Sequence, residues 1–498
     1  MGTEPVRSTG RFDRWFPWAF GAGLSVVFFS LSWFRAHTLD AGFDLAYFKQ
    51  AVWQISHGHG AFLSVRGVHL FADHAYPLIY PIAWLSRLVP ATPLLLGLQA
   101  TGLGLAAVPL YRISREMAGL ATVPAAAILV IYGLHPAIQN ANIFEFHPET
   151  VTAPLAFLGA VLFGHRRRWW ACAACVGILL LSREDFAFVV AGLGLVHLAQ
   201  RRPRPGLAMI GAAGVSFVVT AVLMSRFPGA TEIRFSRLRP FGDTAVEAAV
   251  FLVAHPRLVW HQLTRPENFD LVVALLGPAL FLPLLAPVWL LPVIGLQLLY
   301  LVSNVAPAHT VGFQYTLLPG LCVVLAAAMA LGRFPMAAPR LEWWRMRVDH
   351  PILIPLLAAA LLFNLRLSSS SALSHPWEWT RRDAVDRARV AAAGIPPPDA
   401  SVAASASILP LVAQRREAYF FPAPFAAYSP DLHPPDPVPL AERVAGVRYL
   451  LIDTTTIRTE LHAAMIPEVL TGLTTEDGTF ERVWEDHGVE VWRRTPSP

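Results

Sequence analysis

Apolar runs of about 16–22 residues recur along the 498-residue chain, separated by short breaks rich in arginine. Each run is long enough to cross a hydrocarbon core about 30 Å thick. In lipid the backbone must satisfy its own N–H and C=O groups, so such runs read as transmembrane helices. The composition agrees. The chain is 55% hydrophobic and 15% charged, against roughly 25% charged in a soluble domain. A net charge of +5, scattered among loops, does not form the basic face that nucleic-acid binding requires.

Arginine placement sets the expected orientation. Arg7, Arg11 and Arg14 precede the first run, about 15–34, which lacks a cleavage site and reads as an anchor with a cytoplasmic N-terminus. The stretch 36–90 is polar and amphipathic, with two surface helices expected near 42–56 and 75–89. Further spans fall near 92–111, 118–138, 150–164, 169–182, 186–199, 206–225, 270–286, 288–303, 314–332 and 351–367, which makes about eleven. "HRRRWW", "QRRPRP" and "RFPMAAPRLEWWRMR" mark cytoplasmic turns. Residues 1–367 thus read as a polytopic membrane domain, and 368–498, beyond the membrane, as a small α/β domain. In that domain "SVAAS", "AYFF" and "VRYLLID" read as strands, 408–414 as a helix, and "FERVWEDHGVEVW" as a hairpin. Cys172 and Cys175 form a C-x-x-C pair inside an apolar run, with no ligating histidines nearby, and read as packing residues.

This threading carries most of the titratable chemistry to one membrane boundary. Asp40 and Asp44 lie in "TLDAGFDLAYFKQAVW", and His69, Asp73 and His74 in "HLFADHAYP". Glu145, His147 and Glu149 lie in "NIFEFHPET", and Arg183, Glu184 and Asp185 in "SREDF". His309 and Tyr315 share the loop "AHTVGFQY", and Arg234, Arg237 and Arg239 share a long loop on the same side. Ionisable groups near membrane depth are costly unless they pair or act, so the gathering points to a site. Structural roles compete with this reading: Asp44 as a helix N-cap, Glu149 against a helix dipole, and ion pairs within 183–185. Asp73, His74, Glu145, His147 and Glu149 have the donor types of a divalent-cation site. The E-x-H-x-E string converges on one face only if it is extended, because alternate side chains share a face on a strand and diverge on a helix.

In order, "FDLAYFKQAVW", "DHAYPLIYP", "LLGLQATGLGLAAVPLYRI", "FEFHPE", "LSREDFAF", "HTVGFQYTLLPG", "PPPDASVAAS" and "YLLID" resemble a family of bacterial predicted membrane proteins of unknown function. That family in turn resembles the GT-C superfamily of integral-membrane glycosyltransferases that use polyprenyl-phosphate sugars. The resemblance implies a GT-C-like helical fold in the bacterial cytoplasmic (inner) membrane. It also implies an extracytoplasmic C-terminal domain and a lipid-linked sugar donor. The acceptor would be a hydroxyl on a cell-envelope glycan, lipid or protein. It places Asp44 as general base, with Asp40 as the neighbouring alternative. Arg183, Glu184, Asp185, Arg234, Arg237, His309 and Tyr315 would contact substrate, and a divalent cation is the one cofactor the side chains raise. A transporter or flippase of a lipid-linked or polar substrate is the competing reading; it calls for polar groups near the membrane midplane.

Overall fold

The computed structural model describes residues 10–229, 241–242, 245–333, 351–374, 376–426, 440–456, 465–476 and 479–495. Arg234, Arg237 and Arg239 lie outside the described residues. Among the described residues, four helices have the length and apolar character to cross a membrane: Arg11–His37, Ala91–Glu116, Pro203–Met224 and Gln314–Leu331. Thr122–Leu134 and Pro136–Ile143 make a fifth if counted as one span bent by 45°. His135 is the break, because Pro136 restricts the residue before it to extended backbone. Shorter apolar helices, Trp169–Ser182, Phe186–Ala199, Pro287–Val302 and Leu353–Leu367, pack in the bundle with Pro148–His165.

The Leu317–Leu331 helix is buried on nearly all sides and forms the central pillar. Where helices touch most closely, glycine allows it. A Cβ at Gly102 would lie 2.2 Å from the Val151 carbonyl oxygen and 2.9 Å from that of Thr150. Both are backbone atoms of the helix that follows "FEFH", so they cannot swing aside.

One expected span takes a different form. Over 270–286 the Pro266–Leu276 helix stops, and three 3₁₀ turns follow to Leu290. Pro278, Pro283 and Pro287 each lack a backbone donor, which prevents a continuous α-helix. Leu280 and Phe281 adopt left-handed φ of 50° and 57° to make the reversal.

At one end of the bundle sits the Phe43–Ser56 helix, followed by a short hairpin of β1 (Phe62–Leu63) and β2 (Val68–His69). The C-terminal segment folds over it. Strands β3 (Val402–Ala404), β4 (Ala418–Phe420), β5 (Tyr449–Asp453), β6 (Phe480–Asp486) and β7 (Val489–Arg494) form one sheet in the order β4-β3-β5-β7-β6. The first three are parallel, and β6 and β7 form the antiparallel hairpin expected around Gly488. Leu45, Tyr47 and Phe48 share one apolar core with Val402, Ile408, Leu409 and Phe420. The sheet therefore extends the core of the surface helix.

The close helix approach generates a first prediction. Gly102→Ala drives its Cβ into the backbone of the facing helix and costs about 1–3 kcal/mol. Its thermal midpoint in detergent falls by several degrees, whereas Gly211→Ala, whose Cβ meets nothing within 4 Å, leaves the midpoint unchanged.

Candidate functional site

The sequence "NIFEFHPET" makes a tight turn held from three directions. Glu145 has a left-handed φ of 55°, and Pro148 starts a helix at its first position. The motif is therefore not extended, and its three titratable side chains diverge. Gln99, wholly buried, holds the turn's backbone. It donates to the carbonyls of Asn142 and Glu145 at 2.8 Å each, and accepts from the His147 N–H at 3.1 Å and the Thr150 hydroxyl at 2.7 Å.

Glu145 points at the start of the Phe43–Ser56 helix. Its carboxylate accepts the N–H groups of Gly42 at 2.8 Å and Leu45 at 2.5 Å. Two orphan donors of a helix N-terminus are satisfied by a side chain about a hundred residues away, with the charge sign the dipole favours. Burial and the nearby Asp44 carboxylate push the Glu145 pKa above its ordinary value. With Glu145 serving as the cap, Asp44 is released from that task. It lies in the first turn, makes no cap bond, and its side chain remains 28% exposed.

Asp44 faces a cavity of about 200 Å³ lined also by Tyr47, Arg66, Asp73, His74 and His147. Aromatic walls come from Phe43, Phe48, Tyr76, Phe144, Phe313 and Tyr315. His147 Nε2 stands 3.6 Å from the Asp44 carboxylate, an ion-pair rather than a hydrogen-bond distance. Phe144 stacks on the imidazole at 5.7 Å and Phe48 packs edge-on at 5.9 Å. Burial pushes the His147 pKa down, but Asp44, Glu149 and Glu145 outweigh it, and the net displacement is upward.

Arg66 is the one arginine or lysine among the described residues that line this cavity. It sits in the turn of the β1–β2 hairpin, 3.8 Å from Asp73 and 6.0 Å over the Phe43 ring. Sequence reasoning passed over it. Its signal was a lone charge beside Gly67 in "SVRGV", a tight turn between two apolar pairs.

A second layer backs the cavity wall. Arg183, with a side chain only 3% exposed, lies 3.1 Å from Glu149 and 3.2 Å from Asp185. Tyr300 donates to Asp185 at 2.6 Å, and the Arg183 guanidinium lies 5.6 Å from the Tyr315 ring. Glu184 accepts from His74 Nδ1 at 2.7 Å and from the Ala75 N–H at 3.0 Å. Burial raises the Glu184 pKa, but His74 and Arg183 pull it well below the usual carboxylate range. Of the residues expected to contact substrate, Tyr315 lines the cavity, whereas Arg183, Glu184 and Asp185 stand behind it.

Two expected residues stand apart. Asp40 is paired with Arg35 at 3.0 Å on the exposed surface. His309 is fixed by Asn268 at 2.5 Å and the Ser303 carbonyl at 2.9 Å, and borders a separate, largely apolar cavity of about 670 Å³. The five side chains with cation-site chemistry are divided in the same way. Glu145 is on the helix N-terminus, Glu149 on Arg183, His74 on Glu184, His147 beside Asp44, and Asp73 near Arg66. Among the described residues no three His, Cys, Asp or Glu side chains are placed to hold one ion. The donor set does not fit a dedicated cation site.

No curated protein matches the chain in sequence. The crystal structure of ArnT from Cupriavidus metallidurans, bound to undecaprenyl phosphate, superposes with a TM-score of 0.50 at 13% identity, covering 97% of this chain and 99% of that one. The archaeal oligosaccharyltransferase AglB from Archaeoglobus fulgidus, in complex with an inhibitory peptide and a dolichol-phosphate, gives 0.48 at 12% identity, covering 98% and 75% respectively. The GT-C-like architecture expected from the resemblance, with its small C-terminal sheet domain, is the fold observed. A family model described as predicted membrane protein (DUF2079) matches residues 35–489, and the chain, a multi-pass membrane protein, belongs to that family.

Proposed function

We propose that the chain is a membrane glycosyltransferase. It moves a sugar from a polyprenyl-phosphate donor to an acceptor hydroxyl at the extracytoplasmic face of the bacterial cytoplasmic membrane. The observation that carries this reading is one cavity in which a carboxylate, Asp44, and a cation, Arg66, face the same space between aromatic walls. The undecaprenyl phosphate bound by the ArnT structure supports the donor class.

Each reacting part has a residue suited to it. Asp44 takes the proton of the acceptor hydroxyl as that oxygen forms its bond to the sugar's anomeric carbon. The bond from that carbon to the phosphate oxygen breaks, and the electron pair leaves with the prenyl phosphate. Negative charge grows on this oxygen in the transition state, and a guanidinium aimed at it is the stabiliser the chemistry needs. Arg66 binds the donor phosphate, which is charged already in the ground state, and stays on it as the leaving charge grows, so its loss registers mainly in donor binding. His147, 3.6 Å from the Asp44 carboxylate, keeps it aimed into the cavity. The Arg183 layer holds Tyr315 and His74 against the cavity. No step is routed through a cation. The acceptor class follows the extracytoplasmic placement: a glycan, lipid or protein of the cell envelope. Titratable groups gathered at one end of the bundle favour an enzyme over a carrier, which needs polar groups at the midplane.

Three outcomes test this reading. Asp44→Asn lowers transfer from a radiolabelled prenyl-phosphate sugar by about 100-fold or more, with expression and thermal midpoint retained. Unchanged transfer in that variant removes Asp44 as the base. Arg66→Met forfeits charge-assisted bonds to phosphate of about 1.5–3 kcal/mol, and the donor KM rises roughly ten- to hundredfold.

The third outcome concerns pH. With its pKa raised above 6.5, His147 contributes ion-pair stability that is fully present below pH 6.5 and fades as pH rises through the folded value. Removing the Asp44 carboxylate leaves burial less opposed. In Asp44→Asn the His147 titration followed by NMR of labelled histidine therefore shifts to lower pH. An unmoved titration contradicts the pairing.

A further inference from the structure

The surface helix and the Arg66 turn are both bonded to the C-terminal domain, which contributes none of the side chains lining the cavity among the described residues. Strand β4 is an edge strand, and an edge leaves backbone groups unpaired. Ser64 occupies that edge like a missing strand neighbour. Its hydroxyl donates to the Ala418 carbonyl at 2.8 Å and accepts the Ala418 N–H at 2.9 Å. Gln50, wholly buried on the surface helix, completes the joint. Its amide donates to Ser64 at 2.8 Å and to the Arg415 carbonyl at 3.4 Å, and accepts the Val65 N–H at 3.0 Å. One and two residues further on, the chain reverses: Arg66 and Gly67 both bond back to the Leu63 carbonyl, at 3.1 and 2.7 Å.

We infer that the C-terminal domain sets the position of the Arg66 guanidinium, with Ser64 and Gln50 as positioning residues between the β4 edge and the cavity. The inference rests on the donor-phosphate role assigned to Arg66 above, and it gives the domain a task in donor binding rather than a separate site. The physical reason is local. A hairpin of two-residue strands cannot fix its own turn. The buried amide and hydroxyl take their remaining bonds from the domain. Two further bonds press the same helix onto it: Lys49 Nζ to the Pro410 carbonyl at 2.5 Å, and Gln54 to the Arg416 carbonyl at 2.8 Å.

The test uses the full chain in detergent and has two arms. In the first, Ser64→Ala raises the KM for a polyprenyl-phosphate sugar about tenfold with kcat within about threefold, and Ser64→Ala combined with Arg66→Met has a KM no higher than Arg66→Met alone, as non-additivity through one residue requires. Multiplying effects overturn the inference, because Ser64 then acts elsewhere. In the second arm, amide exchange over residues 61–68 is measured without ligand; Gln50→Met serves as a second variant should Ser64→Ala fold poorly. Faster exchange in that segment, with the Phe43–Ser56 helix still protected, supports the inference; unchanged exchange overturns it. A wild-type chain that binds no prenyl phosphate sinks the donor reading, and the exchange arm still decides whether the domain orders the turn.

Discussion

The Glu145 carboxylate on the N-terminus of the Phe43–Ser56 helix is the interaction on which the rest of the site depends. A helix begins with unpaired N–H groups, and burying them without a partner costs free energy comparable to lost hydrogen bonds. This helix brings no capping side chain of its own, since Gly42 precedes it. The chain supplies the cap from the turn between the Pro136–Ile143 and Pro148–His165 helices. Satisfying that demand brings "FDLAYF" to "FEFHPE", and with them Asp44 to His147. The Asp44–His147 geometry thus follows from the need to satisfy backbone donors.

Charge is layered around the cavity. Asp44, Arg66, Asp73 and His147 border open space, whereas one layer back Arg183 pairs with Glu149 and Asp185, and Glu184 pairs with His74 of the wall. A buried ion pair is seldom a net gain in stability, but removing one partner strands the other at high cost. The back layer accordingly holds its members in fixed positions, and with them Tyr315 and His74 at the wall.

Much of this was legible in the sequence, and the losses have physical causes. Apolar run length located most helices, because hydrocarbon thickness leaves little choice. It failed over 270–286, where Pro278 and Pro283 impose 3₁₀ turns inside an equally apolar segment and Pro287 opens a third just beyond it. The gathering of acids and histidines was readable from loop order. Their individual partners were not, because they depend on through-space distances that spacing does not encode. Glu145 reads as a ligand and is a helix cap; Arg183 reads as a substrate contact and is a buried counter-ion. Arg66, Gln50 and Gln99 leave faint traces: a single charge in a turn, one of two amides in the surface helix, and a lone amide in an apolar helix. Their roles arise only when distant segments meet.

The most direct measurement is an experimental structure of the chain with a prenyl phosphate bound. The account requires the phosphate to lie within hydrogen-bond reach of the Arg66 guanidinium, with Asp44 open to the space beside it. A phosphate held at a different end of the bundle, or in the apolar hollow beside His309 with the Asp44 cavity untouched, would contradict it.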